Sequence, residues 1–144
     1  EYLGEIHSHA TVMRRVVDIV GGKSVYQFGI RSGTREEYVF ARENTNLYKD
    51  EIFPGLKAAL GELRGRPVYI TLDIDVLDPA YAPGTGTPEP GGATSREMIS
   101  AVHLLGEQQV VGFDLVEVCP ALDPSERTPA LAAKLIREAI LSFC

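Results

Sequence analysis

The chain contains no tryptophan and only two cysteines among its 144 residues. Cys119 and Cys144 are too few for a disulfide framework, and their spacing fits no zinc-binding pattern. We interpret both as free thiols in a reducing compartment, because structural disulfides belong mainly to oxidising environments. We therefore expect a cytoplasmic protein.

The sequence also has no excess of basic residues. Its formal net charge is −6, and Arg14–Arg15 is the only adjacent basic pair. Because proteins that bind nucleic acid usually carry a basic patch, no nucleic-acid partner is expected. No apolar run approaches the ~20 residues that a membrane-spanning helix needs, so no membrane partner is expected either.

The remaining pattern predicts one α/β domain. A length of 144 residues suffices for one hydrophobic core but not for two, so residues 1–144 belong to a single domain. Strand patterns alternate with helix patterns, which indicates a parallel sheet covered by helices on both faces. The predicted strands are Ser24–Ile30, Pro67–Asp75 and Gln109–Val118. Three predicted helices begin after the capping residues Ser8, Thr34 and Thr94 and end at Val20, Arg42 and Glu107, respectively. Two further helices are predicted over Glu51–Arg64 and from Pro129 to Ser142.

The most informative segment runs from Val68 to Gly92 and reads VYITLDIDVLDPAYAPGTGTPEPGG. Its apolar strand carries Asp73 and Asp75 at the carboxyl end, where open α/β sheets bind ligands. Side chains two apart on a strand share a face, so both carboxylates are expected to point at one place. A long loop rich in proline and glycine follows, and such loops are usually functional. The segment therefore predicts a divalent-metal site with oxygen ligands.

Three alternatives compete for the same residues. Asp73 and Asp75 also suit a turn or cap at the end of a strand. An EF-hand is excluded, because its sixth position requires glycine and its twelfth requires glutamate, whereas this chain has Asp78 and Gly84 there. A glycosyltransferase-type Asp-x-Asp motif is less favoured, because no glycine-rich phosphate loop accompanies it.

A second group of candidates includes acids of the third predicted strand and the histidines. Glu117 lies at the carboxyl end of that strand, on the expected rim beside Asp75, where it would hold a cationic substrate or form a salt bridge. Asp114 lies deeper and is predicted to form structural hydrogen bonds. His7 and His9 flank Ser8 at a helix start that could meet this rim, and their spacing does not distinguish a functional from a structural role for either. His103 is predicted to be structural or exposed.

These residues resemble the ureohydrolase family, which contains arginase and agmatinase. The segment ITLDIDVLDPAYAPGTGTPEPGG is similar to the third metal motif of the family. The segments IHSHATVMRRV, FGIRSGTREE and VVGFDLVEVCPALD are similar to agmatinase-type sequences. The resemblance implies a three-layer α/β/α domain, built on a parallel eight-stranded sheet, that uses two Mn²⁺ ions to hydrolyse a guanidino group and release urea.

The resemblance also assigns roles to four residues. It implies that Asp73 bridges the two Mn²⁺ ions and that Asp75 binds one of them. Glu117 matches the acid that pairs with the guanidinium of a small cationic substrate. His9 matches the histidine that passes a proton to the leaving amine. The similarity of GTGTPEPGG and SHATVMRR favours agmatine as the substrate and polyamine biosynthesis as the context.

The chain departs from the family in one respect. The Gly-Gly-Asp-His and Asp-Ala-His-x-Asp motifs, which supply the other four metal ligands, are absent. We therefore expect the chain to be the carboxyl-terminal part of a longer homo-oligomeric enzyme, a trimer or hexamer by resemblance, and to be inactive alone. Arginase, guanidinobutyrase, a formiminoglutamase-like enzyme and a non-catalytic relative stay open as alternatives.

Overall fold

The computed structural model describes residues 1–49 and 52–144. Within these ranges, five α-helices alternate with four β-strands, and short 3-10 helices occupy several junctions. The strands are β1 (Tyr26–Ile30), β2 (Asn46–Lys49), β3 (Pro67–Asp73) and β4 (Gln109–Val116). The helices are α1 (Val12–Val20), α2 (Arg35–Asn44), α3 (Ile52–Leu63), α4 (Ser95–Leu105) and α5 (Arg127–Phe143).

Two helices begin at the capping boxes that the sequence predicts. In α2, the Glu37 backbone N–H donates to Thr34 Oγ1 at 3.2 Å, and the Thr34 N–H donates to the Glu37 carboxylate at 2.7 Å. Thr94 and Glu97 form the same pair of bonds at the start of α4. Each box satisfies two backbone donors that a helix start otherwise leaves unpaired, and both predictions are confirmed.

The strands pair in parallel, as predicted. β1 pairs with β2, and β3 pairs with β4. In the second pair the register aligns Asp73 with Val116, the last residues of β3 and β4. The carboxyl ends of these strands therefore meet at one edge, and the residue after Val116 is Glu117.

The hydrophobic core lies beneath the end of β3. Its buried side chains come from α3, the end of β3 and the residues after it, α4 and α5. Ile74 and Leu135 are fully buried, and Leu77 is 1% exposed. Because Ile74 lies between Asp73 and Asp75, its burial anchors the segment that carries both carboxylates.

Several details differ from the predicted elements. β2 was not predicted, because its run of four residues is short and follows α2 almost directly. β3 ends at Asp73 rather than Asp75, and β4 ends at Val116 rather than Val118. β1 begins at Tyr26, because Gly22–Ser24 forms a 3-10 helix. The predicted start of the third helix, Glu51, lies outside the described residues.

One face of the β3–β4 pair is open to solvent. Tyr69 is 64% exposed and Val111 is 62% exposed. In the residues that the structure describes, β3 is therefore covered on one face only. None of the described helices has both the length and the apolar character that a membrane crossing requires.

Candidate functional site

Asp73 and Asp75 lie at the junction between β3 and a single 3-10 turn, Ile74–Val76. Asp73 Oδ1 accepts a hydrogen bond of 3.1 Å from the backbone N–H of Asp75. The prediction that the two carboxylates share a strand face is wrong in its geometry, because Asp75 lies beyond the strand and a 3-10 turn does not alternate its side chains. The turn-capping alternative holds for Asp73, and the two residues still lie together at the end of β3.

The electrostatics of Asp73 are unfavourable to its negative charge. Partial burial raises the pKa of Asp73 to about 6, and the nearby charges of Asp75 and Glu117 also raise it. The hydrogen bond from the Asp75 N–H acts in the opposite direction. Three carboxylates thus act on one another at this edge, and a cation bound beside them would relieve their repulsion.

Thr87, from the long loop, also contacts this pair. Its hydroxyl donates to Asp75 Oδ2 at 3.1 Å. This bond orients the carboxylate, which is what residues around a metal ligand usually do. Sequence reasoning missed Thr87, because the loop has no period that predicts which side chain turns inward.

Asp78 organises the loop that carries Thr87. Its carboxylate accepts hydrogen bonds from the backbone N–H groups of Ala80 at 2.9 Å and Gly91 at 2.8 Å, 13 residues further along the chain. These bonds hold the pKa of Asp78 below its usual value. A Cβ on Gly92 would lie 2.6 Å from the Val76 carbonyl oxygen, so only glycine fits there. The two ends of the loop are therefore held together beside the 3-10 turn.

Glu117 directly follows β4 and is exposed. Its backbone φ is 65°, in the left-handed region that residues with a Cβ rarely adopt. The strand register places it beside the end of β3, and its charge acts on Asp73. The structure therefore brings Glu117 to the edge where the sequence predicts it.

Asp114 has the structural role that the sequence predicts. Its carboxylate accepts hydrogen bonds from the Tyr69 hydroxyl at 2.8 Å and from the Thr71 hydroxyl at 2.6 Å. Both donors lie on β3, so Asp114 joins the two strands. His103 lies 2.7 Å from a Glu138 carboxylate oxygen through its Nε2 atom, which also agrees with a structural role.

His9 is not joined to the carboxylates. It is an exposed residue of the 3-10 helix His9–Thr11, and its ring meets Tyr2 edge-on at 5.7 Å between centroids. Among the described residues, no hydrogen bond connects His9 with Asp73, Asp75 or Glu117. The catalytic role of His9 stays a prediction.

Asp123 supports the glycine-rich end of the loop from outside the site. This buried carboxylate accepts bonds from the Thr128 N–H at 2.7 Å and the Thr128 hydroxyl at 2.8 Å. Thr128 Oγ1 accepts a bond of 2.8 Å from the Gly84 N–H. Hydrogen bonds from Ser125 and Thr128 strongly lower the pKa of Asp123. The sequence Asp-Pro-Ser at 123–125 is typical of such a side-chain-capped turn, but the bond to Gly84 is visible only in the fold.

The carboxylates fit a hard divalent cation. Asp73 and Asp75 supply oxygen donors, which Mg²⁺, Ca²⁺ and Mn²⁺ prefer. Within the described ranges, no group of three or more His, Cys, Asp or Glu residues is arranged to hold a metal ion. Asp73 and Asp75 therefore have the donor chemistry that such a cation requires, and their role as metal ligands stays a prediction.

Comparison with known proteins places this geometry in context. The sequence model of the arginase family matches residues 1–142. An agmatinase of Bacillus anthracis is 51% identical over 145 residues, which cover 99% of this chain and 50% of that protein. The human mitochondrial guanidino acid hydrolase is 42% identical over 152 residues, which cover 98% of this chain and 43% of that protein.

A solved structure agrees with these sequence matches. The agmatine ureohydrolase of Thermoplasma volcanium is 36% identical and superposes with a TM-score of 0.82, over 99% of this chain and 50% of that one. The predicted α/β fold of the arginase type is therefore confirmed. The chain spans about half the length of the curated relatives that it matches.

Proposed function

Because the chain belongs to the arginase family, we propose that it supplies part of the active site of an agmatinase, which hydrolyses agmatine to putrescine and urea. The observation that carries the proposal is the 51% identity with Bacillus agmatinases along nearly the whole chain. The pair Asp73 and Asp75, held at the end of β3, supplies the chemistry. We further propose that residues 1–144 are the carboxyl-terminal part of one ureohydrolase domain.

Asp73 and Asp75 would hold Mn²⁺, with Asp73 shared between two ions. Their carboxylate oxygens suit this cation, and their mutual repulsion favours a positive ion beside them. When bound, the two ions supply an activated water near neutral pH and stabilise the charge that develops in the reaction. The remaining ligands would come from segments outside this chain.

Glu117 would bind the guanidinium of the substrate. A carboxylate and a planar guanidinium form two parallel charge-assisted hydrogen bonds, which fix the orientation of the cation. The exposed position of Glu117 beside Asp73 supports this role, because a substrate there would reach the metal-binding edge.

His9 would move a proton to the leaving amine. An imidazole exchanges protons near neutral pH, and an amine leaves more readily when it is protonated. The exposed position of His9 supports this role, because an exposed side chain is accessible to a substrate.

A second candidate is the hydrolysis of a guanidino acid. The 42% identity with the human guanidino acid hydrolase favours it over arginase. The two candidates differ in the far end of the substrate, which is an amine in agmatine and a carboxylate in a guanidino acid. We retain agmatine as the proposed substrate because the agmatinase match is the stronger one. We also propose that the protein is a cytoplasmic homo-oligomer.

The test is urea release from the full-length protein with Mn²⁺, measured with agmatine, arginine and 4-guanidinobutyrate. Agmatine should give the highest kcat/KM. Asp75→Asn should lower both bound Mn²⁺ and urea release, because an amide is a poorer ligand than a carboxylate. If Mn²⁺ content and turnover both survive that change, the assignment of Asp75 is wrong.

A further inference from the structure

Arg31 lies at the point where the first strand pair meets the metal-binding turn. It directly follows β1, which ends at Ile30. Gly29, two residues before it, has a φ of +72°, and a Cβ there would lie 2.7 Å from a methyl carbon of Val76. The end of β1 therefore packs directly on the turn Ile74–Val76, and this contact brings Arg31 to Asp75, 44 residues away.

The guanidinium of Arg31 binds the backbone of that turn. Its Nη2 donates to the carbonyl oxygen of Asp75 at 2.6 Å and to that of Leu77 at 3.4 Å. Its Nη1 donates to the carbonyl oxygen of Val76 at 3.4 Å. One side chain thus engages three consecutive carbonyl groups, of which the Asp75 bond is the shortest.

The same guanidinium also binds the long loop. Its Nε donates to the carbonyl oxygen of Glu89 at 3.2 Å, and its Nη2 donates to the same oxygen. Glu89 lies two residues after Thr87, whose hydroxyl bonds to the Asp75 carboxylate. Arg31 therefore holds both the backbone of Asp75 and the segment that orients its side chain.

These contacts matter because the turn has little stability of its own. A 3-10 helix of three residues has poorer hydrogen-bond geometry than an α-helix, and the carbonyls at a helix end have no partner within the helix. The Val76 carbonyl also accepts a bond of 3.0 Å from the Ala93 N–H. Within residues 1–49 and 52–144, every hydrogen-bond acceptor of Arg31 is a backbone carbonyl. The guanidinium therefore fixes the position of the backbone, and its charge also helps to lower the pKa of the Asp78 carboxylate.

We propose that Arg31 is a positioning residue for the metal ligand Asp75: its guanidinium joins the end of β1, the turn Ile74–Val76 and the loop at Glu89 into one rigid support. The inference rests on the proposed function, since it takes Asp75 to be a ligand. Lysine cannot replace Arg31, because an ammonium carries its three donors on one nitrogen and lacks the planar fork that reaches several separate carbonyls.

The test compares Arg31→Gln and Arg31→Lys with the wild-type full-length protein. Arg14→Gln is the matched control, because Arg14 is an exposed arginine that pairs with Asp18 at 3.2 Å on α1. Mn²⁺ affinity is measured by calorimetry, and urea release from agmatine is measured across a Mn²⁺ titration. Removal of a residue that orients a metal ligand typically costs about 10- to 100-fold in metal affinity or activity.

We expect both Arg31 variants to bind Mn²⁺ at least about tenfold more weakly than wild type, and Arg14→Gln to bind it normally. Added Mn²⁺ should restore much of the turnover of the Arg31 variants, because the Asp75 carboxylate is still present. Added Mn²⁺ should not restore the turnover of Asp75→Asn. A general folding defect would not produce this difference in recovery between the Arg31 variants and Asp75→Asn.

If Arg31→Lys binds Mn²⁺ with wild-type affinity, the inference is wrong. Because Arg31→Lys retains the positive charge, it provides the test even if Arg31→Gln fails to fold. If wild type binds Mn²⁺ but releases no urea from any guanidino compound, the proposed function fails while the affinities still decide the role of Arg31. If wild type binds no Mn²⁺, the inference fails with the proposed function.

Discussion

Glu117 combines a strained backbone with an exposed carboxylate. Its φ of 65° costs on the order of 1 to 3 kcal/mol for a residue with a Cβ. Such strain persists only where the surrounding structure imposes it, and it is concentrated at functional sites. Glu126, with a φ of 56°, shows the same conformation before α5 and offers a matched comparison.

We predict that Glu117→Gln severely lowers turnover of the full-length protein while both Mn²⁺ ions stay bound. The amide keeps the shape of the side chain but loses the charge that pairs with the guanidinium. Steady-state kinetics with agmatine and metal analysis provide the measurement. Glu126→Gln should leave kcat/KM unchanged. Loss of metal from Glu117→Gln would instead identify Glu117 as a ligand, and unchanged kinetics would refute its role.

The role of His9 is the second prediction at the scale of single residues. His9→Asn should lower kcat, with partial recovery when imidazole is added, because a small imidazole can carry the proton in place of the side chain. His7→Asn is the control, since His7 lies two residues away and is also exposed. An unaltered pH–rate profile in His9→Asn would argue that His9 is only part of the 3-10 helix.

At the scale of elements, one buried carboxylate links α4 and α5. Glu138 on α5 is 9% exposed. It accepts a hydrogen bond from Lys134 and lies 2.7 Å from His103 Nε2 on α4. The Lys134 bond first, and then His103, lower the pKa of Glu138 to about 2.

The sign of this shift predicts how acid affects stability. A folded-state pKa below the ordinary value of 4.5 means that the carboxylate stabilises the fold above about pH 4.5. This contribution is lost as the pH falls toward about 2. Glu138→Gln should therefore be less stable than wild type at pH 7, and the difference should shrink in acid.

Denaturant unfolding of the full-length protein at several pH values measures this difference. Glu107→Gln is the control, because Glu107 is exposed after α4 and should show no such pH-dependent difference. The prediction is contradicted if the difference in the free energy of unfolding between wild type and Glu138→Gln stays constant from pH 7 to pH 3.

At the scale of the whole molecule, the chain shows large apolar side chains and open strand edges. Ile19 on α1 is 81% exposed and Leu3 is 89% exposed, in addition to Tyr69 and Val111 on the sheet. Exposed apolar patches and unpaired strand edges favour association with other surfaces. The two candidate ligands are also too few for a complete Mn²⁺ site.

We predict that residues 1–144 expressed alone release no urea from agmatine with Mn²⁺ and either associate or fold poorly. Urea assays and light scattering on the purified chain provide the measurement, with the full-length protein as the control. Mn²⁺-dependent urea release from the 144 residues would contradict this prediction and would mean that the site is completed differently, for example between subunits.

The features that the sequence predicted correctly depend on residues close together in the chain. The capping boxes at Thr34 and Thr94 need only a partner three residues away, and the alternation of strands and helices indicates parallel pairing. The motif from Asp73 to Gly92 is local in the same way, and the metal-binding role that it indicates stays a prediction. A local pattern is sufficient where the physical interaction is itself local.

The features that only the tertiary structure decided depend on contacts between distant residues. The sequence predicted that Asp75 lies on the strand. In the structure Asp75 lies in a 3-10 turn, where it follows the buried Ile74 and its backbone N–H donates to the Asp73 carboxylate. Arg31 reaches that turn across 44 residues because a bulge at Gly29 packs on Val76. The sequence alone indicated which carboxylates lie near the carboxyl ends of the strands. The geometry of their support required the fold, because hydrogen bonds to backbone carbonyls leave no signature in the identity of the residues that accept them.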